Sequence, residues 1–473
     1  MNNITPNKRL NTEMDNFLIC GYGVSGRAAA RLAASMGKKV IIADEHSSME
    51  MRTAAQALRR EYPAVEFISN WQPGHPLPAC DCVVISPGIR KGTPLHKAAG
   101  NALRPGGKWL SELEFALEKV HCPFVSITGT NGKTTTTELT TALLRANAVN
   151  AASTGNIGTA LSECVLEAEK QNIGFLVIET SSFQLENIRQ FPPCPAAVLN
   201  LASDHIDRHG SLEAYAKAKF KVLAAKLPQE QRIINANLRP WLENLLPGTP
   251  VTTFSAMTSD ADFTLNDQTI MFRGRPVYDL TKGQLHGLHN AENIMAALAL
   301  LRAVKGDNAL FTPETTAALE AFKASPHRME IFARQNGVTY VNDSKATNPH
   351  AVNAAVRQFA QGRNLLLILG GLDKGMDFSE LEVSFPYIKQ AFLTGSCREA
   401  IFKQLSGKVK CKLSGDFSSA VRDACAAAVP GDVVMLSPAT ASMDMFKNYA
   451  ERGDTFKRLV QETLRKVSGA KIR

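Results

Sequence analysis

Three times along this chain an apolar run ends in a glycine-bearing turn that opens into helix-compatible sequence, and that alternation marks a parallel sheet covered by helices. The first instance is Phe17-Leu18-Ile19-Cys20 into GYGVSG, then an alanine-rich helical stretch from Arg27 to Met36 and a strand from Lys39 to Ala43 closing on Asp44. A further short strand, Val83 to Ser86, ends in SPG. The second opens with Pro123 to Thr128 into GTNGKT, with strands at Phe175 to Ile178 and Ala196 to Leu199. The third opens near Ser325-Pro326-His327 and carries Leu365 to Leu369 before GGLDKG and Val433 to Leu436 before SPATAS. The expected class is α/β. A length of 473 residues accommodates three domains, divided at 1–118, 119–324 and 325–473.

Composition narrows the function classes. Hydrophobic residues at 44% and charged residues at 21% exclude a disordered or fibrous chain. The net charge of +9 suits any anionic partner, but the basic residues are scattered and no aromatic ladder interleaves them, so nucleic acid is not expected. The one basic cluster, Lys457, Arg458, Arg465, Lys466, Lys471 and Arg473, reads as a solvated terminal helix. Nine cysteines without CxxC spacing read as reduced cytosolic thiols. The N-terminus has no apolar signal core, and the longest uncharged apolar run, Ile294 to Leu301, is far short of the roughly 20 residues of a spanning helix, so a cytoplasmic protein without membrane insertion is expected.

GTNGKT carries the strongest chemistry. Small residues let backbone N–H groups close on phosphate oxygens, the helix N-terminus adds positive potential, Lys133 supplies a point charge and the Thr134 hydroxyl can ligate magnesium. Ile127 stands where the first glycine of the general Walker A form belongs, so the strand before and the helix after decide for a nucleotide over an ordinary turn. GYGVSG, with Gly21, Gly23, Gly26 and Asp44, fits a dinucleotide fingerprint, yet the same turn cradles any diphosphate. Downstream, Glu179, Asp204 and His205 at strand ends offer magnesium donors, or else helix caps and a loop histidine. Tyr215 and Lys219 share a helix face and read by themselves as a solvated pair. HGLHNAEN, NDSKATN, GGLDKG and SPATASMDMF read as loops after strands, where such folds bind ligands, or as turn chemistry.

Taken together, GYGVSG, SPGI, ITGTNGKTT, TGNIG, ETSSFQL, DHIDRHG, HGLHNAEN, HRME, NDSKATN, GGLDKGMDF and LSPATASMDMFKNYAERG resemble the Mur ligases over essentially the whole chain. NDSKATNP and SPATASMDMF resemble the D-glutamate-adding branch, and the DNPR signature of diaminopimelate addition is absent. The resemblance implies a Rossmann-like N-terminal domain, a central P-loop ATPase domain and a Rossmann-like C-terminal domain. It implies ATP-driven amide formation between UDP-N-acetylmuramoyl-L-alanine and D-glutamate through an acyl phosphate, with two magnesium ions; the expected partners are these small-molecule substrates, with no nucleic acid and no membrane insertion, and the expected state is a monomer. Residue by residue, it implies Gly23, Val24, Ser25, Asp44, Ser86, Gly88 and Asn156 at the UDP substrate. Gly129, Thr130, Asn131, Gly132, Lys133, Thr134, Thr135, Asn293, Arg328 and Asp343 fall at ATP, and Lys345, Thr347, Lys374, Ser437 and Phe446 at D-glutamate. Thr134, Glu179, His205 and a carbamylated Lys219 fall at the metals, with Lys133, His205 and Lys219 catalytic. A nicotinamide oxidoreductase would use GYGVSG and leave GTNGKT without a role. A nucleotide switch would use GTNGKT alone and form no amide.

Overall fold

The computed structural model describes residues 15–168, 171–323, 325–372 and 376–470, of which 466–470 are described for backbone only. They gather into two compact bodies, through which the chain weaves. One comprises residues up to 128, 148–196 and 221–227; the other comprises 129–147, 197–220 and 228 onward.

In the first body five parallel strands lie in the order Val65–Ile68, Lys39–Ala43, Asn16–Cys20, Cys80–Ile85, Leu103–Ser111. The order reverses beside Asn16–Cys20, which makes the crevice past its end the ligand site expected of a doubly wound sheet. Leu18, Ile19, Val83 and Val84 are fully buried, as strands covered on both faces must be. The helix after GYG runs Val24–Ser35, starting three residues before the expected Arg27, because its first turn needs no intrahelical acceptors and Gly23 serves as N-cap. It packs through Ala29, Ala30 and Ala33. The same body holds the parallel strands Ala151–Gly155, Phe175–Glu179 and Phe124–Thr128, with Phe175–Glu179 in the middle.

The second body contains helix Lys133–Ala146, parallel strands Arg232–Asn235, Thr252–Ser255 and Phe263–Asn266, and a meander through Thr269–Phe272 and Arg275–Asp279. Helix Leu288–Lys305 is buried from Asn293 to Leu301, so the longest apolar run is a core helix. HGLHNAEN is therefore not a loop after a strand: Gly287 caps this helix and Leu288 to Asn293 form its first turns. A six-stranded sheet follows, ordered Glu330–Gln335, Val338–Asn342, Val433–Leu436, Leu365–Leu369, Ile388–Leu393, Cys411–Leu413. Only its first strand is antiparallel to its neighbour. Helix Tyr449–Ala470 closes the chain, burying Phe456, Leu459 and Val460 while Arg458 stays exposed. All nine cysteines are free; six are buried, and Cys122, Cys411 and Cys425 are half-buried. Among the described residues no helix is long and apolar enough to cross a membrane.

Candidate active site

The phosphate loop is built from backbone first. Gly132 caps helix Lys133–Ala146 at φ +83°, and a Cβ there would collide with Asn293 Oδ1. Gly129, at φ +156°, would place a Cβ 2.9 Å from Leu199 Cβ. Asn200 pins the loop from below: its Oδ1 accepts from Asn131 N at 2.8 Å, its Nδ2 donates to Asn131 O at 3.1 Å, and its carbonyl accepts from Thr130 N at 3.0 Å. Lys133 Nζ folds back onto the carbonyls of Gly129 and Thr130, at 2.9 and 2.7 Å. Thr134 and Thr135 are buried at the helix start.

Lys219 is not on the surface. It is 1% exposed, donates to Gly129 O at 2.7 Å and lies 4.5 Å over the Tyr215 ring, so the solvated-pair reading of Tyr215 and Lys219 is overturned. Lys217, two residues earlier on the same helix, is exposed. Tyr215 OH shares a 3.2 Å hydrogen bond with Thr130 Oγ1, and burial pushes the phenol well above its ordinary value. Asp204 is not a helix cap either, since helix Ile206–His209 is preceded by His205 at φ +57°. Asp204 Oδ2 accepts from Asn348 Nδ2 at 3.1 Å, while its Oδ1 is buried without a hydrogen bond, 3.6 Å from His205 Nε2.

A cavity opens beside the loop, walled by Asn131, Gly132 and Thr135, by Asn237 and Phe254, by His289, Asn290, Glu292 and Asn293, and by Arg328, Asp343, Lys345 and His350. Of these, Asn131, Gly132, Thr135, Asn293, Arg328, Asp343 and Lys345 were expected from the sequence. Asn237, Phe254, His289, Asn290, Glu292 and His350 were not: they come from four separate segments, and no motif marks Asn237, Phe254 or His350. The His289 signal lay inside HGLHNAEN but was diluted by His286, Asn290 and Asn293 in the same motif. Burial, with Arg328 nearby, lowers His289 to about 4, which keeps a neutral imidazole in the wall. Phe254, Met329, Ala351 and Ala354 give an apolar slot, and the amides and Glu292 give polar edges. Such a slot, continuous with a phosphate loop, suits a nucleoside triphosphate.

Of the C-terminal clusters, HRME and NDSKATN line this cavity, and SPATAS joins them through Ser437 at Asp343. Asp343, at the end of its strand, accepts from Met329 N at 3.1 Å and from Ser437 Oγ at 2.8 Å, and its burial raises it to about 7 against the pull of Arg328 and Arg452. Lys345 Nζ donates to Thr134 Oγ1 at 3.2 Å and lies 4.9 Å over the Tyr449 ring. Arg328 Nε is buried without a partner. Thr347 lies half-buried on the Lys345 loop, and Phe446 packs edge-on against Phe417 with centroids 4.9 Å apart. The expectation at Lys374 falls outside the described residues.

The first body carries its own set. Gly23 and Gly88 have no atom within 4 Å of a would-be Cβ, and Val24 is 71% exposed, so the GYG turn and SPG turn present open backbone. Ser86 is buried, its N–H donating to Cys20 O at 3.0 Å, and Ser25 sits in the first turn of the helix. Asp44 accepts from Tyr22 N at 2.6 Å and His46 N at 2.8 Å, so its carboxylate braces the glycine turn. Asn156 donates from Nδ2 to Glu179 Oε1 at 2.9 Å, and Glu179 Oε2 is buried with no hydrogen bond. Among the described residues no three His, Cys, Asp or Glu side chains group closely enough to hold a metal by themselves.

The profile of the Mur ligase middle domain matches residues 127–301, and that of the Mur ligase glutamate ligase domain matches residues 327–440. Two relatives carry the name UDP-N-acetylmuramoylalanine--D-glutamate ligase. That of Anaeromyxobacter dehalogenans (strain 2CP-C) is 38% identical, covering 94% of this chain and 97% of its own length. That of Desulfitobacterium hafniense (strain Y51) is 32% identical, covering 96% and 99%. The solved MurF ligase of Thermotoga maritima in complex with ADP is similar in fold, with a TM-score of 0.58, 16% identity and coverage of 90% of this chain and 95% of that one.

Proposed function

The chain belongs to the Mur ligase family, and from that premise we propose that it joins D-glutamate to the carboxylate of UDP-N-acetylmuramoyl-L-alanine with cleavage of ATP. The observation that carries this reading is the 3.2 Å bond between Lys345 Nζ and Thr134 Oγ1, which sets a residue of the narrow NDSKATN motif against the phosphate loop.

A carboxylate is a poor acyl donor because it has no good leaving group, so it first attacks the γ-phosphorus and ADP departs. The amine of D-glutamate then attacks the acyl phosphate, and the tetrahedral intermediate expels phosphate. The first step brings two anions together, and unit charges 4 Å apart repel by about 4 kcal/mol at an effective dielectric near 20. Lys133 and the N-terminus of its helix offset that repulsion in the proposed scheme, supported by the fold of the loop around Gly129 and Gly132. The neutral His289 and the apolar slot would seat the base, with Asn293, Arg328 and Asp343 around the nucleotide. Lys345, Thr347, Lys374, Ser437 and Phe446 are proposed for D-glutamate. Gly23, Val24, Ser25, Asp44, Ser86, Gly88 and Asn156 are proposed for the UDP substrate, Asp44 by shaping the turn.

Two orphaned carboxylate oxygens, Glu179 Oε2 and Asp204 Oδ1, fit the hard-donor chemistry of magnesium. Thr134, Glu179, His205 and Lys219 are the proposed holders, with Asp204 supporting His205. Magnesium, when bound, neutralises phosphate charge and polarises the γ-phosphoryl group. Burial of Lys219 against Gly129 O supports a role at the phosphate end, and its carbamate would turn a lysine into a carboxylate donor. The proton of the attacking amine is assigned to His205 or Asp204. The domain division at 118 and 324 is proposed with the same scheme.

The test is ADP release by the purified chain with UDP-N-acetylmuramoyl-L-alanine, scanned over D-Glu, L-Lys, L-Ala and diaminopimelate. D-Glu alone should give an amide product; equal turnover with every amino acid, or none, overturns the reading.

A further inference from the structure

We propose that Asn348 is a positioning residue of this reaction, whose side-chain amide locks the loop of residues 342–348 onto the phosphate loop and fixes the carboxylate of Asp204. The inference rests on the ligase reading and adds to it a residue that touches no substrate.

Asn348 is 2% exposed, and every hydrogen-bonding valence of its amide is filled. Oδ1 accepts from Ala351 N at 2.9 Å, capping helix Pro349–Phe359, and from Asn131 Nδ2 at 3.3 Å. Nδ2 donates to Asp204 Oδ2 at 3.1 Å and to Asn131 Oδ1 at 3.4 Å. Asn131 and Asn348 thus form a reciprocal amide pair. The loop end of that pair is itself fixed, because Asn200 holds both the N–H and the carbonyl of Asn131, and His350 Nδ1 lies 2.9 Å from Asn131 Nδ2.

One side chain therefore ties together three things. It caps the helix whose His350, Ala351 and Ala354 wall the nucleotide cavity. It anchors the end of the loop whose Lys345 bonds Thr134. It also turns Asp204 so that Oδ1, beside His205, stays without a hydrogen bond. Serine keeps the cap but is too short for the pair, and aspartate keeps the cap but puts an acceptor oxygen where Nδ2 donated to Asp204 and Asn131.

The full-length chain is assayed with ATP, UDP-N-acetylmuramoyl-L-alanine and D-glutamate. Asn348→Ser should lower kcat by tenfold or more while leaving KM for the UDP substrate within twofold. Asn131→Ser should do the same, and the double variant should lie within threefold of the weaker single variant, since one paired interaction is lost only once. A loss of helix capping alone predicts no such coupling. Wild-type kcat in either single variant, or losses that multiply in the double, overturns the proposal. Should Asn348→Ser fail to fold, Asn348→Asp, which also keeps the cap, takes its place under the same tenfold and coupling criteria. A wild-type chain that makes no D-glutamate product fails the ligase reading instead, whatever the variants do.

Discussion

At the residue level the informative side chains are those whose surroundings contradict their type. Asp343 is a carboxyl buried at a strand end, raised from 3.8 to about 7 by desolvation. The native state then binds a proton that the unfolded chain releases, so stability falls as pH rises from about 4 to about 7 and levels off above. At 1.36 kcal/mol per unit, the span is on the order of 4 kcal/mol as an upper bound. Asp343→Asn removes this dependence. Thermal unfolding of the ligand-free proteins should show the variant gaining on wild type between pH 5 and pH 8; a constant gap would refute it. Lys219 shows why spacing could not place such residues: helical periodicity puts Tyr215 and Lys219 on one face, but only the neighbouring elements decide whether that face meets water. Asp44 is a case in the other direction, legible as a strand-end acid, while its bonds to Tyr22 and His46 backbone depend on how the turn closes.

At the level of elements, the strands were readable because each is a short apolar run closed by glycine or a polar turn, as in Leu365–Leu369. Helix starts were harder, since Val24 and Leu288 follow glycine without a Ser, Thr, Asp or Asn cap to announce them. The terminal helix is the clearest example of an element with two faces. Its outer side is the expected solvated one, but Arg452 near its start is fully buried and donates to Ser344 O at 2.8 Å, Ser344 Oγ at 3.0 Å, Thr440 O at 3.1 Å and Ala441 O at 3.3 Å. It stitches the NDSKATN and SPATAS loops to the helix. Arg452→Met leaves those acceptors dry, each worth about 1 to 3 kcal/mol, so a loss of at least about 3 kcal/mol in urea unfolding is expected. A change below 1 kcal/mol would mean that the loops hold themselves.

At the scale of the whole chain, the sequence announced the phosphate loop and the clusters that face it, because each is contiguous. The wall made by Asn237, Phe254 and His289 was hidden because it assembles from segments distant in sequence, none with a composition that sets it apart. The thiols distribute over the two bodies in a way that turns the molecule into its own stopwatch. Cys20, Cys80, Cys82, Cys164 and Cys194 are sealed in the first body and Cys397 in the second, with none cross-linked. A chromogenic alkylating dye should colour the three half-buried sulfurs first, and slowly at neutral pH, because burial pushes Cys122 up, Cys411 to about 11 and Cys425 to about 12. The remaining six would colour only as each body breathes open, five ticks for one and a single tick for the other.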